Sequence, residues 1–427
     1  MELTSGIFKK SNWLSKSKMP TTGQNEFYYL IALFFIAAAL RLIPPLILGT
    51  FPFYDPIDYS NNTRAFPTSN DFFKKSYLRQ SHAGFRAYLI VLFLFTDIPL
   101  DFIVVYFPPI FNSLSVFPMY LLSKILLRNS KSALTATLFF SVTEIIVLRQ
   151  SYLIPEGFAI SIMLLVIYSF VKAVYSHNFV NYSIVSAILF YCLCSFHNLT
   201  ATMTLVPILL PLFLYPFVVL RVKRSNDQST LIISPERARK LVITIIILTA
   251  VWLYWAKEAQ YSDFMASFIS LDIEAILISF GGQAQPSSET FSEHYYATQQ
   301  TTILDLAAMG GGSILIFLVA VLGFIKLLRR PRKDFRFFIL ACWAILMFLN
   351  FGLNLLIDTL FSARTYGQQV YRAWVFLIIP LLFFASIRLT EIRHNTPYLV
   401  INLSLLLILV FSTTWFLEFL MESFPHV

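Results

Sequence analysis

Charged residues are scarce in this chain. They make up 13% of its 427 residues, which is about half the share that a soluble globular protein carries. Hydrophobic residues reach 57% and aromatic residues 17%, and the mean hydropathy is +0.70. This balance excludes an ordinary soluble protein and predicts an integral membrane protein built from spanning α-helices.

Cysteine is also scarce, and Cys192, Cys194 and Cys342 all lie within apolar runs. We therefore expect reduced, buried thiols, with neither a disulfide framework nor a cysteine metal site. The formal net charge of +9 could indicate a nucleic-acid partner. However, the basic residues lie in short loops between apolar runs, a pattern that reports membrane topology, so we expect no nucleic acid among the partners.

About eleven apolar runs are long enough to span a bilayer. They occupy approximately residues 27–49, 105–127, 133–150, 155–175, 179–196, 201–220, 239–256, 312–328, 336–357, 370–388 and 397–420. The preceding segment 1–26 is polar and basic and lacks a small-residue cleavage site. We expect it to be a cytoplasmic tail before a retained first helix rather than a signal peptide.

The basic clusters indicate the orientation, because positive charge favours the cytoplasmic side. They lie at residues 9–18, 124–131, 172, 221–240, 326–336 and 388–393. With a cytoplasmic N-terminus, all of them fall on one side and the C-terminus faces out. Residues 27–427 then form a single transmembrane domain with two large external loops, at about 50–106 and 257–311.

Residues 85–106 are apolar enough to suggest a further crossing. A crossing there would place the basic cluster at 124–131 outside, against the charge rule. We therefore predict interfacial helices within the first external loop, broken at Asp97, Pro99 and Asp101. An additional pair of spans is the alternative.

Several carboxylates and arginines fall on the predicted outer side. They are Asp55, Asp58, Glu156, Glu293, Arg364 and Arg372. Glu156 follows Pro155 near the start of a predicted helix, where the helix dipole alone would favour an acid. Carboxylates from several loops could bind Mg²⁺ or Mn²⁺, and arginines bind phosphate through paired hydrogen bonds. Carboxylates, a metal ion and arginines together are suited to releasing a lipid phosphate from an activated sugar, and we predict this chemistry.

Four motifs resemble those of one family. Residues 55–64 (DPIDYSNNTR) resemble the acidic first-loop motif of the catalytic subunit of oligosaccharyltransferases, members of the GT-C glycosyltransferase superfamily. Residues 151–160 (SYLIPEGFAI) resemble its second motif, and SEH at 292–294 with DL at 305–306 resembles the segment before a later span. FSAR and VYR within 361–372 resemble the fourth. The likeness covers most of that family's membrane part and implies an all-α, polytopic, GT-C-like fold.

The resemblance assigns roles to the carboxylates. Asp55 would support the metal and orient the acceptor, with Asp58 as a second acid in the same loop. Glu156 would be the acid of the second motif, and Glu293 would close over the site on a mobile loop. Asp55, Glu156 and Glu293 are therefore the implied ligands of Mg²⁺ or Mn²⁺.

The resemblance also names substrate-binding residues. Arg372 would contact the lipid-linked phosphate, and Arg364 and His294 are further candidates. His82 resembles first-loop histidines that lie near the lipid phosphate in other GT-C enzymes. His197, at a helix end, is interpreted as an interfacial histidine with a structural role, and buried Glu144 is expected to pair with Arg149.

The chain also departs from the family. Ile154 stands where the second motif has an additional acid, and the Trp-Trp-Asp-Tyr-Gly motif that reads the acceptor is absent. The family's soluble C-terminal domain would begin where this sequence stops. These departures favour a related glycosyltransferase with another acceptor over transfer to Asn-x-Ser/Thr sites.

The predicted reaction moves a sugar or oligosaccharide from a polyprenyl or dolichyl phosphate or pyrophosphate carrier. The acceptor would be a glycan or a protein on the extracytoplasmic side of the plasma membrane, or of the endoplasmic reticulum in a eukaryote. Membrane lipids are the other expected partners. The alternatives are a transporter or flippase of lipid-linked substrates, which would show inverted repeats and charges at the membrane midplane, and an inactive GT-C relative.

Overall fold

The computed structural model describes residues 21–48, 82–96, 98–224, 233–259, 303–329, 335–361 and 367–391. Every regular element in these ranges is a helix. The helices are α1 (Thr21–Leu48), α2 (Ala83–Thr96), α3 (Leu100–Ser113), α4 (Val116–Leu127), α5 (Ser130–Val142), α6 (Glu144–Ser151), α7 (Pro155–Tyr175), α8 (Phe179–Phe196), α9 (Asn198–Arg224), α10 (Pro235–Glu258), α11 (Ile303–Arg329), α12 (Phe335–Phe361) and α13 (Gly367–Glu391).

Eight helical segments among the described residues are long and apolar enough to cross a membrane, or nine if the bent pair α5–α6 counts as one span. They follow the apolar runs predicted between residues 27 and 388. The run at 397–420 lies outside the described residues, so the predicted total of about eleven is not confirmed. The protein is an all-α, multi-pass membrane protein.

Helices α2 and α3 meet at the predicted break. α2 ends at Thr96 and α3 begins at Leu100, after Pro99. α3 continues through a short turn into α4, so that one span covers Leu100–Leu127. The span therefore begins before residue 105, where the sequence predicts its start. Helix α2, with 14 residues, is too short to count among the candidate spans.

Helices α7 and α13 form the centre of the bundle, since more of their surface is buried than that of any other described span. α7 packs mainly against α8, and α13 packs against α11 and α12. A Cβ atom at Gly323 of α11 would lie 2.3 Å from the carbonyl oxygen of Phe384 in α13. Glycine therefore allows the two backbones to touch, and this close contact stabilises the centre of the fold.

Basic residues gather at one end of the bundle, which we call the basic end. Lys124 forms an ion pair with Glu26 at 2.5 Å. Arg336 donates to the carbonyl oxygen of Ile125 at 2.9 Å, and its guanidinium lies 4.0 Å from the ring centre of Tyr175. These contacts join the first turns of α1 and α12 to the last turns of α4 and α7. The sequence predicts that the basic loops lie on one side, and the structure places these basic residues at one end of the bundle.

The opposite end contains the first turn of α7 and the last turn of α6, and we call it the Glu156 end. α5 and α6 approach it as a broken helix bent by 58°. The break lies at Thr143, whose extended backbone (ψ 121°) ends α5. α6 therefore runs in a new direction and carries Arg149 and Gln150 towards Glu156.

Candidate active site

Glu156 is the central residue of the site. It follows Pro155 in the first turn of α7, and its side chain is 1% exposed. The carboxylate lies near the positive end of the helix dipole. Its Oε2 atom is 3.6 Å from Nη1 of Arg149 and 3.7 Å from Nε of Arg372. Two arginines from different helices thus face one buried carboxylate.

A tight turn between α6 and α7 brings Arg149 to Glu156. The backbone N–H of Ile154 donates to the carbonyl of Tyr152 at 2.8 Å. A Cβ atom at Gly157 would lie 2.5 Å from the carbonyl oxygen of Arg149, which is closer than real side chains approach. Glycine at this position is therefore required for the two helix ends to touch.

Two histidines stack beside these charges. His82 immediately precedes α2 in a left-handed conformation, with φ of 64°. Its ring lies 5.1 Å from that of His197, and the two planes differ by 10°. His197 occupies the junction between α8 and α9. The stacking brings the start of α2 to the same end of the bundle as Glu156.

Hydrogen bonds define the protonation of both rings. Nδ1 of His82 donates to the carbonyl oxygen of Phe196 at 2.9 Å, because a carbonyl can only accept. Nδ1 of His197 accepts from the backbone N–H of Thr200 at 3.2 Å. In the neutral rings, Nε2 of His82 is therefore an acceptor and Nε2 of His197 a donor. One ring can accept a proton or hydrogen bond where the other donates one.

Burial and positive charge keep these rings neutral. The pKa of His82 is lowered to about 4, chiefly by burial; the hydrogen bond to Phe196 opposes this, and the charges of Arg86 and Arg372 act in the same direction as burial. Burial lowers the pKa of His197 well below its usual value, with smaller effects of the same sign from His82, Arg372 and Arg149. We call Glu156, Arg149, Arg372, His82 and His197 the Glu156 cluster.

The Glu156 cluster is suited to binding an anion. It contains two guanidinium groups and one carboxylate, so a positive charge is left over when the histidines are neutral. Arg372 is 28% exposed, and its Nε donates no hydrogen bond to the residues that the structure describes. A phosphate could therefore accept from Arg372 in the charge-assisted geometry that guanidinium and phosphate share.

The described part of the cluster does not by itself form a cation site. Both oxygens of Glu156 lack a hydrogen-bond donor among the described residues, but two arginines already balance its charge. No group of three acidic, histidine or cysteine side chains in the described ranges could hold a metal. The other implied ligands, Asp55 and Glu293, lie outside those ranges.

Three of the residues predicted from the sequence lie together in this site: Glu156, Arg372 and His82. The remainder lie outside the described residues. These are Asp55, Asp58, Glu293, His294 and Arg364. For those positions, the sequence interpretation stays a prediction.

Sequence reasoning gave two cluster members other roles. Arg149 was expected to pair with Glu144, but its ion-pair partner in the cluster is Glu156. Glu144 instead accepts hydrogen bonds from the backbone N–H of Ser313, at 2.8 Å, and from the Ser313 hydroxyl. His197 is interpreted from the sequence as an interfacial histidine with a structural role, and its stacking on His82 is compatible with that role. The sequence signal for a site at His197 is its position between two apolar helices, because a polar residue at such a junction lies at the end of the bundle.

No family model matches the sequence, and no curated protein matches it. Solved structures do resemble the fold. The apo oligosaccharyltransferase of Archaeoglobus fulgidus superposes with a TM-score of 0.54 at 15% identity, covering 93% of this chain and 55% of that one. The same organism's oligosaccharyltransferase AglB, in complex with an inhibitory peptide and a dolichol-phosphate, gives 0.55 at 14% identity, with 93% and 56% covered.

A third structure of the Archaeoglobus enzyme, tethered to an acceptor peptide, gives a TM-score of 0.51 at 13% identity, with 93% and 55% covered. This chain thus spans about 55% of the length of these structures. At such low identity the likeness establishes the fold. The chain is a polytopic membrane protein whose fold resembles that of archaeal oligosaccharyltransferase, in agreement with the fold implied by the sequence resemblance.

Proposed function

We propose that this protein is a membrane glycosyltransferase that uses a lipid-phosphate-linked sugar donor. The observation that carries the proposal is the Glu156 cluster, in which Arg372 lies beside a buried carboxylate and a neutral histidine pair at one end of a GT-C-like bundle. Buried charges within a membrane protein are costly and usually functional. An excess of positive charge at the end of a helix bundle suits a lipid phosphate whose tail lies in the bilayer.

Arg372 is the proposed electrostatic catalyst. When the bond between the sugar and the phosphate breaks, negative charge develops on the departing phosphate, and a fixed guanidinium stabilises that charge. Glu156 holds Arg372 and Arg149 in orientation, because its Oε2 lies close to both. Nε2 of His197 can donate a hydrogen bond to the departing group, while Nε2 of His82 can accept one from a hydroxyl or a protonated phosphate.

The acceptor side of the proposal rests on residues outside the described ranges. Asp55, with Asp58, would act as a base or orient the acceptor nucleophile. Glu293 would arrive on a loop that orders around the substrate and excludes water, with His294 and Arg364 as further contacts. Any Mg²⁺ or Mn²⁺ would depend on Asp55 and Glu293.

The neighbouring structures support a lipid-linked donor and an acceptor in general terms. The Archaeoglobus AglB was solved with a dolichol-phosphate and an inhibitory peptide, and the related structure with an acceptor peptide. For this chain we propose a polyprenyl or dolichyl phosphate or pyrophosphate carrier. We further propose that the N-terminus is cytoplasmic and that the Glu156 end is extracytoplasmic, in the plasma membrane or, in a eukaryote, the endoplasmic reticulum.

A transfer assay in proteoliposomes tests the function. Purified protein would receive polyprenyl-linked donors that carry radiolabelled sugars, together with a peptide and a glycan acceptor. We expect transfer by the wild-type protein and a loss of about 100-fold or more in Arg372→Ala, with similar losses in Asp55→Asn and Glu293→Gln. Arg336→Ala, at the basic end, is the matched control and should retain activity.

Two other outcomes would replace the proposal. Movement of intact donor across the bilayer without transfer would indicate a flippase. Donor binding without transfer to any acceptor would indicate an inactive GT-C relative. Transfer that is equal in the wild type and in all three site variants would show that the assigned site is wrong.

A further inference from the structure

Arg41 is a fully buried cation within the first span. It lies in α1, away from the motifs that resemble the oligosaccharyltransferase family. A charge inside a membrane span is costly and seldom kept without a role. Its contacts identify what that role is.

The guanidinium of Arg41 donates to neutral oxygen atoms. Nε and Nη2 both donate to Oε1 of Gln150, at 3.0 and 2.7 Å. Nη1 donates to the carbonyl oxygens of Ala37 and Ser141, each at 3.1 Å. Four of the five N–H groups of an arginine are then used. The side chain is thus held in one orientation and is poorly suited to gripping a ligand.

The contact with Ser141 follows from the break in the helix. α5 ends at Val142, just before the break at Thr143, and the last carbonyls of a helix have no partner within it. Inside the bundle such a carbonyl needs a donor, which Arg41 supplies. A cation at a helix C-terminus is also favoured by the helix dipole. Arg41 therefore stabilises the point at which α6 changes direction.

Gln150 transmits this contact to the site. Its amide nitrogen donates to the carbonyl oxygen of Gly157 at 3.4 Å, across the turn between α6 and α7. Its own backbone carbonyl accepts from Nδ2 of Asn112 at 3.0 Å, and Ser115 adds a hydrogen bond to Oε1 at 3.2 Å. Gln150 directly follows Arg149 in the chain. Its position therefore sets where Arg149 lies relative to Glu156.

We propose that Arg41 is a positioning residue for the Glu156 cluster. Through Gln150 it fixes the turn between α6 and α7, and hence the separation of Arg149 from Glu156. The expected effect of Arg41 on sugar transfer rests on the proposed function. Its expected effect on the turn between α6 and α7 does not. The forked geometry matters, because one oxygen of Gln150 receives two parallel donors that lysine cannot supply.

Hydrogen–deuterium exchange of the purified, full-length protein tests the effect on the turn. In Arg41→Met, we expect the backbone amides of residues 150–157, apart from Pro155, to exchange about tenfold faster, since local opening becomes easier. The far end of α7, residues 168–175, should be unchanged. Arg336→Met, which removes a partly buried arginine contact at the basic end, should leave residues 150–157 protected. A folded Arg41→Met protein with unchanged exchange in the turn would overturn the proposal.

Transfer kinetics provide the second readout. A displaced catalytic group lowers turnover by about tenfold to 100-fold, whereas the KM for the lipid donor should stay within about twofold because Arg41 touches no substrate. Gln150→Leu should resemble Arg41→Met, and the double variant should be no worse than either alone, since both break one contact. Additive losses would contradict the proposed path.

The two proposals can fail separately. If the wild type transfers no sugar but Arg41→Met loosens the turn, the function is wrong and the positioning role stands. If the wild type transfers sugar and the turn is unchanged in Arg41→Met, the positioning role is wrong. Should Arg41→Met not fold, Arg41→Lys keeps the charge and loses the fork. Faster exchange of the turn in that variant would support the proposal, and unchanged exchange would overturn it.

Discussion

The two ends of the helix bundle hold their charges differently. At the basic end, Lys124 is 47% exposed and pairs with Glu26 at 2.5 Å, and Lys240 pairs with Glu236, which is 65% exposed. At the other end, the carboxylate of Glu156 is 1% exposed and faces two arginines at more than 3.5 Å. The shorter ion pairs are thus the exposed ones.

This contrast separates charges that report topology from charges that form a site. Exposed ion pairs contribute little to stability, because water already solvates both partners. Buried pairs cost desolvation that their attraction only partly returns. The exposed ion pairs of the basic end therefore need no explanation in terms of a site. The Glu156 end needs a functional explanation, because its charges are buried despite the cost of desolvation. They also lack close hydrogen bonds with one another.

Removal of the Glu156 charge should have the largest effect on stability. Glu156→Gln leaves two arginines facing each other without a counter-charge, and breaking a buried ion pair costs about 3 kcal/mol. Thermal unfolding in detergent measures the loss. The control is Glu236→Gln at the basic end, which should cause no measurable change. Equal stability of both variants would remove the distinction between the two ends.

The turn beside Glu156 should tolerate no added side chain. In Gly157→Ala, the new methyl group would meet the carbonyl oxygen of Arg149, and overpacking of this kind costs about 1–3 kcal/mol. Gly352 in α12 has no atom within 4 Å of a Cβ. Gly352→Ala should therefore be neutral or stabilising, by up to about 1 kcal/mol. Unfolding of the two variants by chemical denaturant compares them directly.

The buried histidine pair should make the folding stability of the protein moderately dependent on pH. The pKa of His82 is lowered to about 4 in the fold, whereas an unfolded histidine titrates near 6.5. The unfolded chain then binds more protons between these values, so stability is lost as the pH falls from about 6.5 towards 4.

His82→Asn should lose less stability than the wild type over this pH range. Asparagine tolerates the left-handed backbone at this position and cannot titrate. Part of the dependence will remain because burial lowers the pKa of His197 in the same direction. Melting temperatures at pH 7 and pH 5 measure the difference. His177→Asn, at an exposed position, is the control; the same pH dependence in His82→Asn as in the wild type would contradict the assignment.

The smallest effect should come from the ion pair at the basic end. Lys124→Met removes the partner of Glu26, and an exposed pair contributes about 0–1 kcal/mol. The carboxylate of Glu26 accepts hydrogen bonds from both Lys124 and Tyr120. Tyr120 still donates in the variant, which limits the loss. A destabilisation as large as that of Glu156→Gln would show that both ends hold buried, costly charges.

The spans and the break near Pro99 were predictable because they depend on local sequence. A long apolar run must form a helix in a bilayer, and proline is well tolerated at the start of a helix, where its missing N–H would have no partner. Glu156 could be placed at a helix start for the same reason. Arg372 and His82 were identified through motif resemblance, and the structure brings both to Glu156.

The contacts between distant segments could not be predicted from one sequence. Arg41 and Gln150 are 109 positions apart, and His82 bonds to Phe196 across 114 positions. Which helix faces which is decided by packing over the whole bundle, and hydropathy carries no such information. The pairing of Arg149 depends in addition on the bend at Thr143, which no proline or glycine marks.

Binding of radiolabelled polyprenyl phosphate to the purified protein tests the central claim most directly, because it needs neither the sugar nor the acceptor. The wild type and Arg336→Ala should bind alike, whereas Arg372→Ala should bind at least about tenfold more weakly, as expected for the loss of a charge-assisted hydrogen bond. Equal binding by all three proteins would contradict the assignment of the Glu156 cluster to the lipid phosphate.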